Sequence, residues 1–314
     1  MTTTRIFVSL VAVASLALAA CSSSSDSSSS QNGGGGDGTG QTGSGAGAMT
    51  TVSGFGSNPG ALTMYTYVPA GVGSNAPIVV AMHGCTQSAA DYVNAGWNDL
   101  ADEEKFYVVY PEQSSANNSE KCFNWFQDED TTRDSGEALS IKQMVDWMKT
   151  KYSIDDSKVF VTGLSAGAAK AGDPSFTGTY PRLSVWHGQS DTTVNESNAA
   201  DLVTEWAALT GISQTPDVTE TVDGATHTEY EDASGRVTIE RYSIPGMNHG
   251  TALDPKNGCG VAASYMLDEG ICSTALAWSF FTGDPPPKMT HAGGSSSGGS
   301  GAVARLGVDP KSEK

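Results

Sequence analysis

Nine residues, Val159-Phe-Val-Thr-Gly-Leu-Ser-Ala-Gly167, limit most of what this chain can become. A β-branched and aromatic run leads into a turn where glycines stand two before and two after a serine. Such side chains favour a strand, and glycine permits a sharp reversal that bulkier residues resist. Gly-x-Ser-x-Gly in that setting lifts a serine hydroxyl clear of a sheet, on a strained passage from strand to helix. The rest of the chain reads as the α/β sheet such a turn needs. "PIVVAMHG" and "KFYVVYP" are apolar runs bounded by turn residues, expected of strands covered on both faces. "ALTMYTYVP", "SKVFVTG", "RLSVWHG" and "VTIERYSIPG" are further predicted strands. "SIKQMVDWMKTKYSI" puts Ile141, Met144, Val145, Met148 and Tyr152 on one helical face. "ESNAADLVTEWAALTG" is a second predicted helix, and "AASYMLDEGICSTALAWSFFTG" is predicted to form the closing one.

A serine hydroxyl is a weak nucleophile and needs a base, normally a histidine oriented by a carboxylate, in the chain order serine, acid, histidine. Of the five histidines, His83 precedes Ser165, His187 ends a strand and shapes its loop, His227 lies in a polar hairpin-like stretch, and His291 lies in the tail. His249, in "IPGMNHG" after a strand, is the candidate base. Asp191, in "WHGQSDTTV" one short loop beyond a buried strand, is the candidate acid. Asp128, Glu129 and Asp130 precede Ser165 and read as a solvated cluster, while Asp201, Asp217 and Asp223 sit in helix or polar-loop patterns. Negative charge on an ester oxygen calls for preorganised N–H donors. Ala166, after the serine, is one candidate donor, and Cys85 in "VVAMHGCTQ" is the other. This chemistry requires no cofactor and no metal, and the cysteines and histidines do not fall at zinc-ligand spacing.

The two ends of the chain are of a different kind. Arg5 followed by "IFVSLVAVASLALAA" reads as an export signal over residues 1–20, and Leu18-Ala-Ala-Cys21 resembles a bacterial lipobox, which implies lipidation of Cys21; ordinary secretory cleavage is the alternative. Residues 21–50 form a Ser/Gly tether and residues 285–314 a low-complexity tail, both too poor in apolar side chains for a core. Residues 51–284 are long enough for one such core. A net charge of −18 without a basic cluster excludes a nucleic-acid binder and leaves the lipid anchor as the only membrane contact. Setting Cys21 aside leaves Cys85, Cys122, Cys259 and Cys272, an even number that favours two disulfides in an exported protein.

Together "HGCTQSAADY", "CFNWF" with Arg133 after it, "VFVTGLSAG", "LSVWHGQSDTTV" and "GMNHG" resemble the polyhydroxybutyrate-depolymerase family of secreted esterases, which includes feruloyl and acetylxylan esterases. The resemblance spans about Gly54 to Gly283. It implies an α/β-hydrolase fold with a mostly parallel sheet and helices on both faces. It also implies a Ser165–Asp191–His249 triad, oxyanion donors at Cys85 and Ala166, and disulfides Cys85–Cys122 and Cys259–Cys272. Trp125 would line the substrate cleft, with a buried core position as its alternative. The chain departs from the family after the nucleophile turn. Only 26 positions separate Ser165 from Asp191, and "AGAAKAGDPSFTGTYP" is poor helix material, so one strand and its helices are expected to be missing. The reading is a monomeric serine esterase acting on polyhydroxyalkanoate oligomers or on feruloyl or acetyl esters. The alternative is a surface lipoprotein that keeps the hydrolase outline without turnover.

Overall fold

A computed structural model describes residues 48–167 and 178–289. The export signal, Cys21, most of the tether, the return segment at 168–177 and the tail from 290 onwards, with His291, lie outside the described residues. Five strands make the first sheet: β1 (Thr50–Val52), β2 (Thr63–Tyr67), β3 (Ala76–Met82), β4 (Tyr107–Glu112) and β5 (Ile154–Gly163), in the order β1-β2-β4-β3-β5. β3 runs parallel to both β4 and β5, and antiparallel pairs form the β1 margin. Ile78, Val79 and Val80 are wholly buried, as the unbroken apolar run of β3 requires.

Helices cover this sheet on both faces. Between β3 and β4 lie α1 (Ala89–Tyr92) and α2 (Trp97–Glu104). Ser88 caps α1 by accepting from Asp91 N–H, and Asp91 accepts from Ser88 N–H in return. Between β4 and β5 lie α3 (Asp128–Thr131) and α4 (Gly136–Lys151). Met144, Val145 and Met148 of α4 are buried against Ile78, Val80 and Val109, with Ile141 and Tyr152 packed at the margin, which is the face expected from their spacing.

The second sheet contains β6 (Leu183–Gly188), β7 (Val218–Val222), β8 (Ala225–Glu231) and β9 (Val237–Ile244), in the order β6-β9-β8-β7, with α5 (Ser197–Thr210) joining β6 to β7. β10 (Thr251–Leu253) pairs in parallel with β11 (Met266–Asp268), and α6 (Ser273–Thr282) closes the fold. The closing helix is therefore shorter than "AASYMLDEGICSTALAWSFFTG" predicts. Residues 266–268 are spent on pairing with β10, Gly270 turns through the left-handed region (φ +69°), and Cys272 is bonded to Cys259.

The segment in which a strand and its helices are expected to be missing falls largely on residues 168–177, outside the described residues. β5 is the last strand of the first sheet and β6 an outer strand of the second, and among the described residues no strand joins them. Val161 of β5 is 53% exposed, unusual for the interior of such a sheet. What holds the halves together is side-chain packing. Trp97, Leu100 and Phe106 share one core with Leu253, Met266, Ala275 and Trp278. Phe106 stacks on Trp278 at 4.2 Å and Phe160 on Phe281 at 4.8 Å. Val261 N–H donates to Asn94 O, and the Thr274 hydroxyl to Ala95 O.

His227 belongs to a hairpin of β7 and β8 but is buried, not surface-exposed. Its Nδ1 lies 3.2 Å from Glu220 and its Nε2 3.2 Å from Glu240, with Glu229 at 4.0 Å and the Tyr242 ring stacked at 4.2 Å. Burial lowers the imidazole pKa, but hydrogen bonds to Glu240 and Glu220 outweigh it and hold the group above its ordinary value. A histidine with a raised folded-state pKa stabilises fully below its unfolded value and loses that contribution as pH rises through the folded one. His227→Gln is therefore expected to lower the thermal midpoint by about 2–4 °C, roughly 1 kcal/mol, at pH 5.5–6. Scanning calorimetry should show the difference shrinking as the pH is raised towards 8. A difference that grows with pH would contradict this assignment.

Candidate active site

Ser165 lies one residue beyond the end of β5 and has φ +54°, a left-handed backbone that costs a non-glycine residue energy and persists only where its surroundings enforce it. Two contacts enforce it. Leu164 N–H donates to Met82 O at the end of β3, and Gly167 N–H closes the turn on Leu164 O. A Cβ on Gly167 would sit 2.6 Å from His83 O and 2.8 Å from Met82 O, so only glycine lets the turn press against the β3 terminus. The serine turn thus lies against the 83–87 loop that carries Cys85, and both Ala166 and Gly167 are buried there.

That loop is tightly held. Gly84 N–H donates to Gln87 Oε1 at 2.8 Å, and Thr86 N–H donates to Glu120 O. His83 is wholly buried and accepts from Gln113 N–H at Nε2 (3.1 Å), so its proton is on Nδ1, which donates to Gly84 O at 2.7 Å. Burial keeps this ring neutral by lowering its pKa. Cys85 is joined to Cys122, and Cys259 to Cys272, the two pairings the resemblance implied.

Asp191 and His249 meet. Asp191 Oδ2 accepts from His249 Nδ1 at 2.7 Å, while Oδ1 accepts from the N–H groups of Thr193 and Val194, both at 2.8 Å. Burial raises the Asp191 pKa, but hydrogen bonds from Val194, His249 and Thr193 outweigh it and leave the carboxyl below its usual range. An ionised acid holding Nδ1–H leaves the lone pair of His249 on Nε2. The two loops are laced together. Asn248 Oδ1 accepts from Thr192 N–H and His249 N–H, and Ser190 N–H donates to Met247 O. At Gly188 a Cβ would fall against Met247 O, so only glycine lets the loops come this close. His187 acts as its position suggests: Nε2–H donates to Val194 O at 3.0 Å, 3.6 Å from Asp191 Oδ2.

The serine half and the histidine half converge through residues the sequence did not single out. Tyr92 is buried, and the side chains of Thr162, three residues before Ser165, and Thr251, two residues after His249, both act on its hydroxyl. Burial pushes its pKa up to about 12, against the influence of these two threonines. Gln87 spans the same junction, since its Nε2 donates to Ser264 O at 3.2 Å while its Oε1 holds Gly84. Next to Ser264, Tyr265 presents its ring edge-on to His249 at 6.0 Å. Among the described residues no hydrogen bond joins Ser165 to His249. Trp125 is 45% exposed, which rules out the core position, and packs edge-on against the exposed Phe126. Among the described residues, no three His, Cys, Asp or Glu side chains are grouped to hold a metal ion.

Residues 62–183 match the family described as Esterase PHB depolymerase. Poly(3-hydroxyalkanoate) depolymerase C of Paucimonas lemoignei is 44% identical over 289 positions, with 74% of this chain and 70% of the relative covered. Those 289 positions exceed the residues that 74% of a 314-residue chain supplies, so the relative carries residues this chain lacks. Feruloyl esterase B of Talaromyces stipitatus is 30% identical, covering 66% of this chain and 73% of the relative. The solved acetyl xylan esterase from Aspergillus awamori superposes with a TM-score of 0.58 at 26% identity, covering 65% of this chain and 94% of that one. None of these relatives favours the reading without turnover. With an α/β-hydrolase fold and this ancestry, the chain belongs to the PHB depolymerase family of esterases and is a carboxylic ester hydrolase.

Proposed function

We propose that Ser165, His249 and Asp191 are the nucleophile, base and orienting acid of this hydrolase. The observation that carries the reading is the Asp191–His249 hydrogen bond of 2.7 Å, with both carboxylate oxygens committed and Nε2 left as the basic nitrogen. Ser165 Oγ attacks the acyl carbon while His249 Nε2 takes its proton. The tetrahedral oxyanion forms between the N–H groups of Cys85 and Ala166. Collapse expels the alcohol, which takes the proton from His249, and leaves an acyl-enzyme on Ser165. Water, deprotonated by the same nitrogen, then releases the acid and restores the serine. His83 and the Cys85–Cys122 disulfide keep the first donor still.

The substrate class is polyhydroxyalkanoate chains or their oligomers, supported by the 44% identity to a poly(3-hydroxyalkanoate) depolymerase, with feruloyl or acetyl esters as the second class. Trp125 and Phe126, exposed beside the disulfide-tethered loop, are placed to receive an apolar acyl chain. The protein acts as an exported monomer, with residues 51–284 as its catalytic domain, held to a membrane through lipid on Cys21. The two disulfides are in keeping with an oxidising compartment.

With p-nitrophenyl acetate as substrate, Ser165→Ala is expected to fall to background, and Asp191→Asn to lose about 10⁴-fold in kcat because the imidazole tautomer is no longer fixed. Equal rates for folded wild type and Ser165→Ala would overturn the mechanism. Cys21→Ser is expected to move the protein from the membrane fraction to the soluble fraction, as read by fractionation and immunoblot. Unchanged membrane retention would overturn the anchor.

A further inference from the structure

A carboxylate that the reaction does not use lies beneath the site. Glu137, in the first turn of α4, is 4% exposed and buried without a cation, and the charge acting on it is that of Asp130, which opposes ionisation. Burying such a group is costly unless its oxygens are fully bonded. Here both are. Oε2 accepts from Asn124 N–H at 2.9 Å, and Oε1 accepts from Gln113 Nε2 at 2.5 Å and from Asn117 Nδ2 at 3.5 Å.

Two of these bonds, from Asn124 and Gln113, lead to the site. Asn124 immediately precedes Trp125, so its N–H anchors the base of the exposed aromatic pair. Gln113 Nε2 also donates to Cys122 O at 3.2 Å, fixing the cysteine bonded to Cys85, and Gln113 N–H holds His83 Nε2. His83 Nδ1–H then holds Gly84 O. Because the peptide is planar and trans, fixing Gly84 C=O fixes the opposite direction of the Cys85 N–H. The chain Glu137–Gln113–His83–Gly84 therefore ends on the peptide whose donor faces the oxyanion.

We propose that Glu137 is a positioning residue for the hydrolase: through Gln113 and His83 it aims the Cys85 N–H, and through Asn124 it sets the Trp125 loop, so that oxyanion hole and acyl wall move as one unit. The inference rests on the esterase mechanism above. All three groups facing the carboxylate are donors, so they suit an anion. An added proton, or the NH₂ of a glutamine, opposes one of them.

The sign of the pH effect separates positioning from plain stability. Burial, assisted by Asp130, raises the Glu137 pKa to about 7, against hydrogen bonds from Asn124 and Gln113. A carboxyl raised in the folded state makes the protein less stable as pH rises from about 4.5 to 7. If the anion aims the donor, activity rises over the same range in which stability falls.

Purified wild type, Ser165→Ala and Glu137→Gln should be compared for kcat and KM on p-nitrophenyl acetate and butyrate from pH 4.5 to 8.5, with thermal midpoints at each pH. Glu137→Gln is expected to lose about tenfold or more in kcat, a part of the cost of removing an oxyanion donor outright. It should also lose one ionisation from the acid limb and the decline in midpoint between pH 4.5 and 7. An active wild type matched by Glu137→Gln in kcat and pH profile would overturn the inference alone. A wild type no faster than Ser165→Ala would overturn the mechanism and the inference together. Should the glutamine variant not fold, Glu137→Asp is the second test. Its shorter carboxylate keeps the charge but cannot reach Asn124 and Gln113 together. A reduced kcat that retains the acid-limb ionisation supports the role, and wild-type kcat refutes it.

Discussion

The hydroxyl of Tyr92, buried between Thr162 and Thr251, is where the two halves of this enzyme meet. Everything on one side of it belongs to the first sheet: the β5 terminus, the Ser165 turn and the loop of His83 to Gln87. Everything on the other side belongs to the second sheet and the β10–β11 pair, with Asp191 and His249. In an unbroken sheet the intervening strands would fix the spacing of these halves through backbone hydrogen bonds. Here β5 and β6 belong to different sheets, so the spacing depends on Tyr92, on Gln87 between Gly84 and Ser264, and on the shared aromatic core around Trp97, Phe106 and Trp278.

This arrangement puts demands on the parts that remain. An outer strand with an exposed apolar residue, as at Val161, invites pairing with another chain, and it leaves less apolar area buried than an undivided sheet would bury. The two disulfides offset part of that loss. Closing loops of 13 and 37 residues constrains the unfolded chain by about 3–4 kcal/mol each in the loop-entropy picture. Both also act where the site needs them. One tethers the loop of Cys85 to that of Trp125, and the other fixes the start of α6 against the strand pair that follows His249.

The sequence reading recovered what is local and lost what is made in space. Ser165 was legible because a strand, two glycines and a serine at fixed spacing have few other uses. Asp191 and His249 stand out in the sequence because each follows an apolar strand by one short loop, and the structure brings these two side chains together. The short spacing from Ser165 to Asp191 and its helix-poor composition mark the departure from the family, and among the described residues no strand joins β5 to β6. By contrast, Tyr92 and Gln87 carry no local signal, since a buried tyrosine and a turn glutamine gain meaning only from partners up to 177 positions away. β7, "VTETV", has too little apolar character to mark itself as a strand and owes its place to pairing with β8. The closing helix is shorter than its sequence predicts because an apolar stretch does not reveal that three of its residues pair with β10. The burial of His227 has no local signal either, because its neighbours in sequence are polar, whereas its neighbours in space are Glu240 and Tyr242.

The two halves differ in how firmly their chemistry is set. Around the proposed base and acid, the Asp191–His249 bond, the Asn248 bridge and the close approach at Gly188 leave little freedom. Around the proposed nucleophile, the strained Ser165 backbone, Gly167 against the β3 terminus and the neutral His83 do the same. The looser coordinate is the separation between them, and no hydrogen bond from Ser165 to His249 closes it among the described residues. Catalytic hydrogen bonds in empty sites are often long and tighten only when substrate is bound. A displacement of about 1 Å in such a pair is enough to cost roughly 10²-fold in rate. Activity in this shortened hydrolase is therefore governed less by the residues that react than by the side chains packed across the gap, which must supply from tertiary contacts the alignment that a continuous sheet supplies from its backbone.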